Sequence, residues 1–256
     1  MTCTAFVIHL ERAAARRAQA EKLVGSLPIP SEVCAAVDGK ALTATEKRLA
    51  YRRHLHDPRY PYELSDGEIA CFLSHRSVWR TILERNLDHA LIVEDDVALG
   101  EGFAGTFEGI PAGAGANDYI RFPRWERGET GDAVYRSGAA SVIEPYLPML
   151  GTQMQLVGRE AAGRLLAATE TFDRPIDSFI QMQWLHGARV LSARPIVIRE
   201  IDADLGGTVL QRKKLPALEK LVHEVRRPFF RAAIRRKNRQ WRQGGSGIAP
   251  AMGANS

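Results

Sequence analysis

At 256 residues, with 45% hydrophobic and 25% charged side chains, the chain has a globular composition and enough length to bury about 70 to 75% of its unfolded surface without covalent staples. No apolar run approaches the ~20 residues of a bilayer span, and no basic, apolar and small-residue leader opens the sequence, so neither a membrane span nor a secretion signal is expected. Cys3, Cys34 and Cys71 are odd in number and widely spaced, which matches neither a disulfide framework nor a zinc site and reads as reduced thiols of a cytoplasmic protein. The net charge of +5 is unevenly placed. Residues 211–243 hold twelve Lys or Arg against Glu219 and Glu224, so this stretch carries +10 and the remainder −5.

In chain order, residues 2–10 are β-rich and read as a first, central strand. Residues 11–25 have helical character, with Arg12, Arg16 and Arg17 near their start, where basic groups oppose the helix dipole; either a bound phosphate or a solvated basic face accounts for them. A second strand is expected over 31–37, closed by a turn at Asp38-Gly39. Thr43 with Glu46 forms a capping box for a helix reaching about His54, and residues 55–64, with two prolines and several rings, read as a surface loop. Ser65 with Glu68 forms a second capping box, opening a helix over 67–86. Its residues Ile69, Phe72, Leu73, Trp79, Ile82 and Leu83 follow the spacing of a buried face. Ser74 and His75 sit midway along it, His75 reading as a structural or a ligand-facing side chain.

Ala90-Leu91-Ile92-Val93 then ends abruptly in Glu94-Asp95-Asp96. Carboxylates so close repel unless a cation or donors compensate them, and in open α/β sheets ligands sit at the carboxyl ends of strands. The three acids are therefore read as holding a divalent cation and, through it, a diphosphate, with a solvated acidic turn as the alternative. A short helix is expected over 101–109, a loop over 111–117, a strand over 119–122, and irregular chain over 123–146. Beyond these come a strand over 151–157, helices over 159–169 and 178–186, strand-like runs at 188–191 and 195–198, and a Gly-rich loop over 201–208. Alternating strands and helices predict an α/β fold on a mostly parallel twisted sheet flanked by helices.

Several stretches together resemble glycosyltransferase family 25. They are Val7-Ile8-His9-Leu10-Glu11-Arg12 with Arg16-Arg17, Ala36-Val37-Asp38-Gly39, Gly67-Glu68-Ile69-Ala70-Cys71 with Leu73-Ser74-His75 and Trp79, Ala90 to Val97, and Pro175-Ile176-Asp177, in the family's order. His9, Gln155 and Asp204-Leu205-Gly206-Gly207-Thr208 depart from its usual pattern. The resemblance implies a GT-A-like fold and inverting transfer of a hexose, galactose or glucose, from a UDP-sugar to a glycan or lipid-linked acceptor in cell-surface polysaccharide or lipopolysaccharide synthesis. It implies Asp96 as chief ligand of Mn²⁺ or Mg²⁺, Asp95 as second ligand or orienter, and Glu94 at the ribose or the metal shell. Arg12, Arg16 and Arg17 would contact the nucleotide and His75 would line the donor sugar. Inversion needs a base opposite the nucleotide, for which Asp177 is the candidate; an Asp before a helix is also a common N-cap.

The domain reading is a transferase unit over 1–210, a basic amphipathic helical tail over 211–243 and a disordered end over 244–256. In the tail Leu215, Leu218, Val222, Val225 and Phe229 share one helical face, Pro228 breaks or restarts the helix, and Phe230, Ile234 and Trp241 continue the apolar side. Such a helix either anchors the enzyme to an anionic membrane surface, on the inner face of the plasma membrane, or packs on the body with its basic side solvated. Rival readings are a nucleic-acid-binding protein using the tail, disfavoured by the acidic body, and a degenerate transferase kept as a scaffold.

Overall fold

The computed structural model describes residues 2–125, 128–205 and 217–243, the last stretch without the side chains of 217–227. Its elements are β1 (Cys3–His9), α1 (Ala14–Ser26), β2 (Ser31–Ala35), α2 (Ala44–Ala50), α3 (Asp66–Glu84), β3 (His89–Glu94), β4 (Val97–Leu99), α4 (Phe103–Glu108), β5 (Asp118–Arg121), β6 (Gly131–Ser137), β7 (Ala140–Pro145), β8 (Met154–Gly158), α5 (Arg159–Ala168), α6 (Ile176–Ile180), α7 (Gln183–His186), β9 (Arg189–Arg194), β10 (Ile198–Glu200) and α8 (Ala217–Gln243). Eight strands form one sheet in the order β2-β1-β3-β8-β5-β9-β7-β6, while β4 and β10 pair in a separate antiparallel ribbon. The parallel pairs are β1 with β2, β1 with β3, and β5 with β9; β7 and β8 run against the rest, so the sheet is mixed but mostly parallel.

Both faces of the central strands are covered, which is why β1 and β3 read as unbroken apolar runs rather than alternating ones. Phe6 and Ile92 point to a core shared with Phe72, Trp79 and Ile82 of α3, whereas Ala5, Val7, Leu91 and Val93 point to the opposite core with Leu23 of α1 and Phe103 and Phe107 of α4. Period-two alternation thus serves two cores at once. Both capping boxes form, Thr43 with Glu46 and Ser65 with Glu68. The first of these helices stops at Ala50 rather than near His54, because Arg52 N–H donates to the Phe172 carbonyl (3.0 Å) and Tyr51 bridges to Phe172.

Residues 131–145, expected to be irregular, form the β6–β7 hairpin at the sheet edge. Its strands are half-exposed and bulged near Ala133 and Tyr135, which erases the alternation that marks a strand in sequence. The helix expected over 178–186 is two short ones, α6 and α7.

The tail differs more. α8 runs continuously through Pro228, which is itself exposed and costs the helix one backbone hydrogen bond. Over its second half the helix is docked on the body. Phe230 packs edge-on against Tyr60 (5.5 Å) with the Arg174 guanidinium over its ring, Ile234 is fully buried, and Asn238 donates to the Gln181 carbonyl (2.8 Å). Its apolar side from Phe230 onward is therefore used inside the protein, while Phe229 is 73% exposed. Leu215 and the end over 244–256 lie outside the described residues, as do the side chains of Leu218, Val222 and Val225. Among the described residues no helix is long and apolar enough to cross a membrane.

Candidate active site

Because β3 is central and ends at Glu94, it delivers all three acids to the carboxyl edge of the sheet, beside the end of β1 and across from the middle of α3. There they border a cleft of about 450 Å³ lined by Arg12, Arg16, Cys71, His75 and the three acids, among others. A larger groove of about 1790 Å³ lies elsewhere, along Asp88, Asn117, Arg159 and Trp184, and includes none of the acids. Chemistry rather than size selects between the two.

The three acids are held differently. Asp95 is saturated: one oxygen lies 2.7 Å from His9 Nδ1 and the other accepts from Arg16 Nη1 at 3.0 Å. Glu94 is oriented through Oε1, which accepts from Thr152 Oγ1 at 2.6 Å and lies 3.2 Å from His75 Nε2. Burial alone would raise its pKa, but the hydrogen bonds from His75 and Thr152 outweigh it and hold the carboxyl below its usual range. Among the described residues the Asp96 carboxylate has only Arg16, at 3.6 Å, and its Oδ1 is buried with no hydrogen-bond partner. Burial, and then the charge of Glu94, push its pKa up to about 7 despite Arg16.

His75 is 1% exposed. Gln155 Nε2 lies 3.1 Å from its Nδ1, and since an amide N–H donates, Nδ1 accepts and Nε2 carries the proton toward Glu94. The sheet register places Gln155 beside Arg121, and Arg121 beside Ser192, so one polar row follows the apolar row of Val157, Tyr119 and Val190. Arg121 pairs with Glu129 (3.1 Å) and its positive charge acts on Asp177.

Of the arginines expected at the nucleotide, Arg12 sits at the cleft and donates to Asp38 (2.7 Å). Arg16 is 6% exposed and tied to Asp95, Asp96 and Asp202, so its charge serves the acids. Arg17 lies outside the cleft, paired to Glu21 (2.8 Å) one helical turn on, with its side chain 54% exposed. Asp177 is not the N-cap of α6, which is Pro175; it lies in the first turn and accepts from the Ser178 N–H at 2.6 Å. Burial raises its pKa, and Glu94 adds to that while Arg121 opposes it. It does not line the 450 Å³ cleft.

Sequence reasoning gave no site role to Thr152, Gln155 or Asp202, and read His9 only as a departure bearing on donor contacts, not as the partner of Asp95. His9 and Gln155 carried a signal, being polar residues in otherwise apolar strands. Thr152, in a loop, carried none.

The family model described as glycosyltransferase family 25 (LPS biosynthesis protein) matches residues 2–180. The chain belongs to glycosyltransferase family 25. Human procollagen galactosyltransferase 2 is 38% identical over 101 residues, which are 38% of this chain and 16% of that protein. A family 25 member from Drosophila melanogaster is 29% identical over 187 residues, 70% of this chain and 30% of that one. The mouse inactive glycosyltransferase 25 family member 3 is 27% identical over 217 residues, 75% and 36% of the two chains. The family 25 chain thus spans well under half the length of these relatives. A solved glycosyltransferase involved in glycosylation of the major capsid of PBCV-1 overlaps 66% of this chain and 65% of its own, at 11% identity and a TM-score of 0.34, too distant to bear on the site.

Proposed function

We propose that this family 25 chain transfers a hexose from a UDP-sugar, with inversion, to a glycan acceptor, with a divalent cation at Asp96. The observation that carries the reading is Asp96 Oδ1, a buried carboxylate oxygen with no partner among the described residues, in a cleft where Asp95 and Glu94 are both hydrogen-bonded. An orphaned acid at a raised pKa is costly to keep, and a hard cation would return its charge to favourable use. Asp96 would hold the ion, with Glu94 beside it. Asp95, saturated by His9 and Arg16, fits the orienting rather than the ligating role. When bound, Mn²⁺ or Mg²⁺ would supply charge neutralisation of the diphosphate leaving group.

Asp177 is assigned as the base that takes the acceptor hydroxyl proton. Its burial supports a proton affinity nearer neutrality than an exposed carboxylate would have, and Arg121 is placed to steady it once charged. Galactose as the sugar is supported by the names of the procollagen galactosyltransferases. A lipid-linked acceptor, and residence on the cytoplasmic face of the plasma membrane, are supported by the tail. Arg231, Arg235, Arg236 and Arg239 are exposed on α8, and each contributes about 1 kcal/mol beside an anionic leaflet. With Phe230 and Ile234 already docked, the part of α8 that carries these arginines would attach electrostatically.

Inactive relatives make a degenerate scaffold the second reading. The experiment that separates the two is Mn²⁺-dependent turnover of UDP-sugars by the wild type and Asp96→Asn. A loss on the order of 10² to 10³-fold or more is expected, and full activity in the variant removes the assignment. Asp177→Asn should bind donor normally and lose transfer; near-normal turnover would place the base elsewhere.

A further inference from the structure

Cys71 and His75 are one helical turn apart on α3 and face Glu94 at the end of β3. One ligand atom from each, thiol sulfur, imidazole nitrogen and carboxylate oxygen, lies within 4.8 Å of the other two. We propose that these three residues form a binding site for a thiophilic divalent cation such as Zn²⁺, distinct from a hard-cation position at Asp96. The inference rests on the cleft's geometry and stands whether or not the transfer reaction is correctly assigned.

A sulfur, nitrogen and oxygen set is one that Zn²⁺ prefers and that Mg²⁺ does not. Around tetrahedral Zn²⁺ such donor atoms sit roughly 3.3 to 3.7 Å apart, so no pair in the cluster, all within 4.8 Å, has to close by more than about an ångström and a half. Glu94 is the member able to move, its side chain being 23% exposed while that of His75 is 1% exposed. The outer shell residues are at hand: Gln155 adjoins the imidazole at Nδ1 and Thr152 steadies the carboxylate. Three protein ligands leave a fourth position open to the cleft that all three line. The sequence criterion that set zinc aside counted cysteines, and a site with a single sulfur escapes that count.

On binding, the Cys71 thiol loses its proton to solvent and the sulfur–metal bond forms, one proton released per ion, with no change of oxidation state. Neutral His75 shifts its single ring proton from Nε2 to Nδ1, with the Gln155 amide turned so that its oxygen accepts it, and this shift adds nothing to the count of released protons. An ion held here occupies the cleft, so a thiophilic cation and a nucleotide donor compete.

Co²⁺ titration of the full chain, without nucleotide, reads the site directly. The expected result is a near-ultraviolet thiolate-to-cobalt band saturating at one ion per chain, lost in Cys71→Ser and kept in Asp96→Asn. No band in the wild type, or a band that survives Cys71→Ser, overturns the proposal. Should Cys71→Ser fail to fold, alkylation of the wild type answers the same question, with peptide mapping of all three cysteines. Stoichiometric Zn²⁺ should protect Cys71 and spare Cys3 and Cys34; equal labelling of Cys71 with and without Zn²⁺ overturns it.

Discussion

Among the described residues, two of the clusters that bury carboxylates beside arginine have opposite characters. In the first, Asp173 and Arg174 form a two-pronged pair (2.6 and 2.9 Å), fully enclosed. Arg174 also donates to the His56 and Pro58 carbonyls, and Asp173 accepts the His56 N–H at 3.0 Å. These bonds outweigh burial, so the Asp173 carboxyl stays below its ordinary pKa. At the carboxyl edge of β3, three acids share Arg16 and two histidines, and Asp96 is driven the other way, to about 7. Asp173 is the more enclosed of the two acids, yet its shift is the downward one, because the first cluster matches donors to acceptors and the second leaves one acceptor over. The first kind holds residues 55–64 against α6; the second is poised for a ligand.

The sharpest way to break this comparison is to remove Arg174. Arg174→Met should cost about 3 to 5 kcal/mol of stability, because it strands Asp173 as an unpaired buried charge, and urea denaturation would measure it. Mn²⁺ binding at the distant acids should not change. A cost below about 1 kcal/mol would show that the pair is replaceable and that its saturation carries no structural weight.

A smaller and oppositely signed effect is expected at Asp96. Its folded pKa of about 7 lies above the ordinary aspartate value of 3.8, so the folded chain holds the proton more tightly than the unfolded one. The stability this contributes is complete below about pH 4 and is lost as pH rises through 7. Asp96→Asn, which cannot ionise, should therefore match the wild type near pH 4 and exceed it by roughly 1 to 3 kcal/mol at pH 8. Thermal unfolding across that range tests the sign. A variant less stable than wild type at pH 8 would mean that Asp96 has a partner after all, and the comparison would fail at its central point.

How far the sequence alone reached follows from the same physics. β1, β3, α3 and both capping boxes were legible because their signals are local: continuous apolar runs, three-and-four spacing, and Ser or Thr three residues before Glu. The β6–β7 hairpin was not, since an edge strand with a bulge need not alternate. At the site, the acids announced themselves by charge, whereas their partners are set by long-range register. His9 meets Asp95 only because β1 lies parallel beside β3, and Gln155 meets His75 only because β8 enters antiparallel on the other side of β3. Whether α8 would dock or stay free depended on Tyr60 and Gln181, more than fifty residues away in the chain.

Arg16 and Arg17 give the comparison its finest division. They are neighbours in sequence with the same chemistry, yet a helix turns successive residues by about 100°, so only one can face the sheet. Arg16 does, and is bound to three acids; Arg17 faces out and pairs with Glu21. An exposed pair one turn apart is worth only about 0.3 to 0.5 kcal/mol. Arg17→Ala should therefore shift stability by no more than that and leave the dissociation constant for UDP, with Mn²⁺ present, within a factor of two. The measurement is a calorimetric titration at two salt concentrations, because a long-range pull on the diphosphate would weaken as salt rises. A tenfold loss of affinity that persists at high salt would mean that Arg17 leaves Glu21 and reaches the nucleotide. The nucleotide contact read from the sequence would then be the correct one for Arg17.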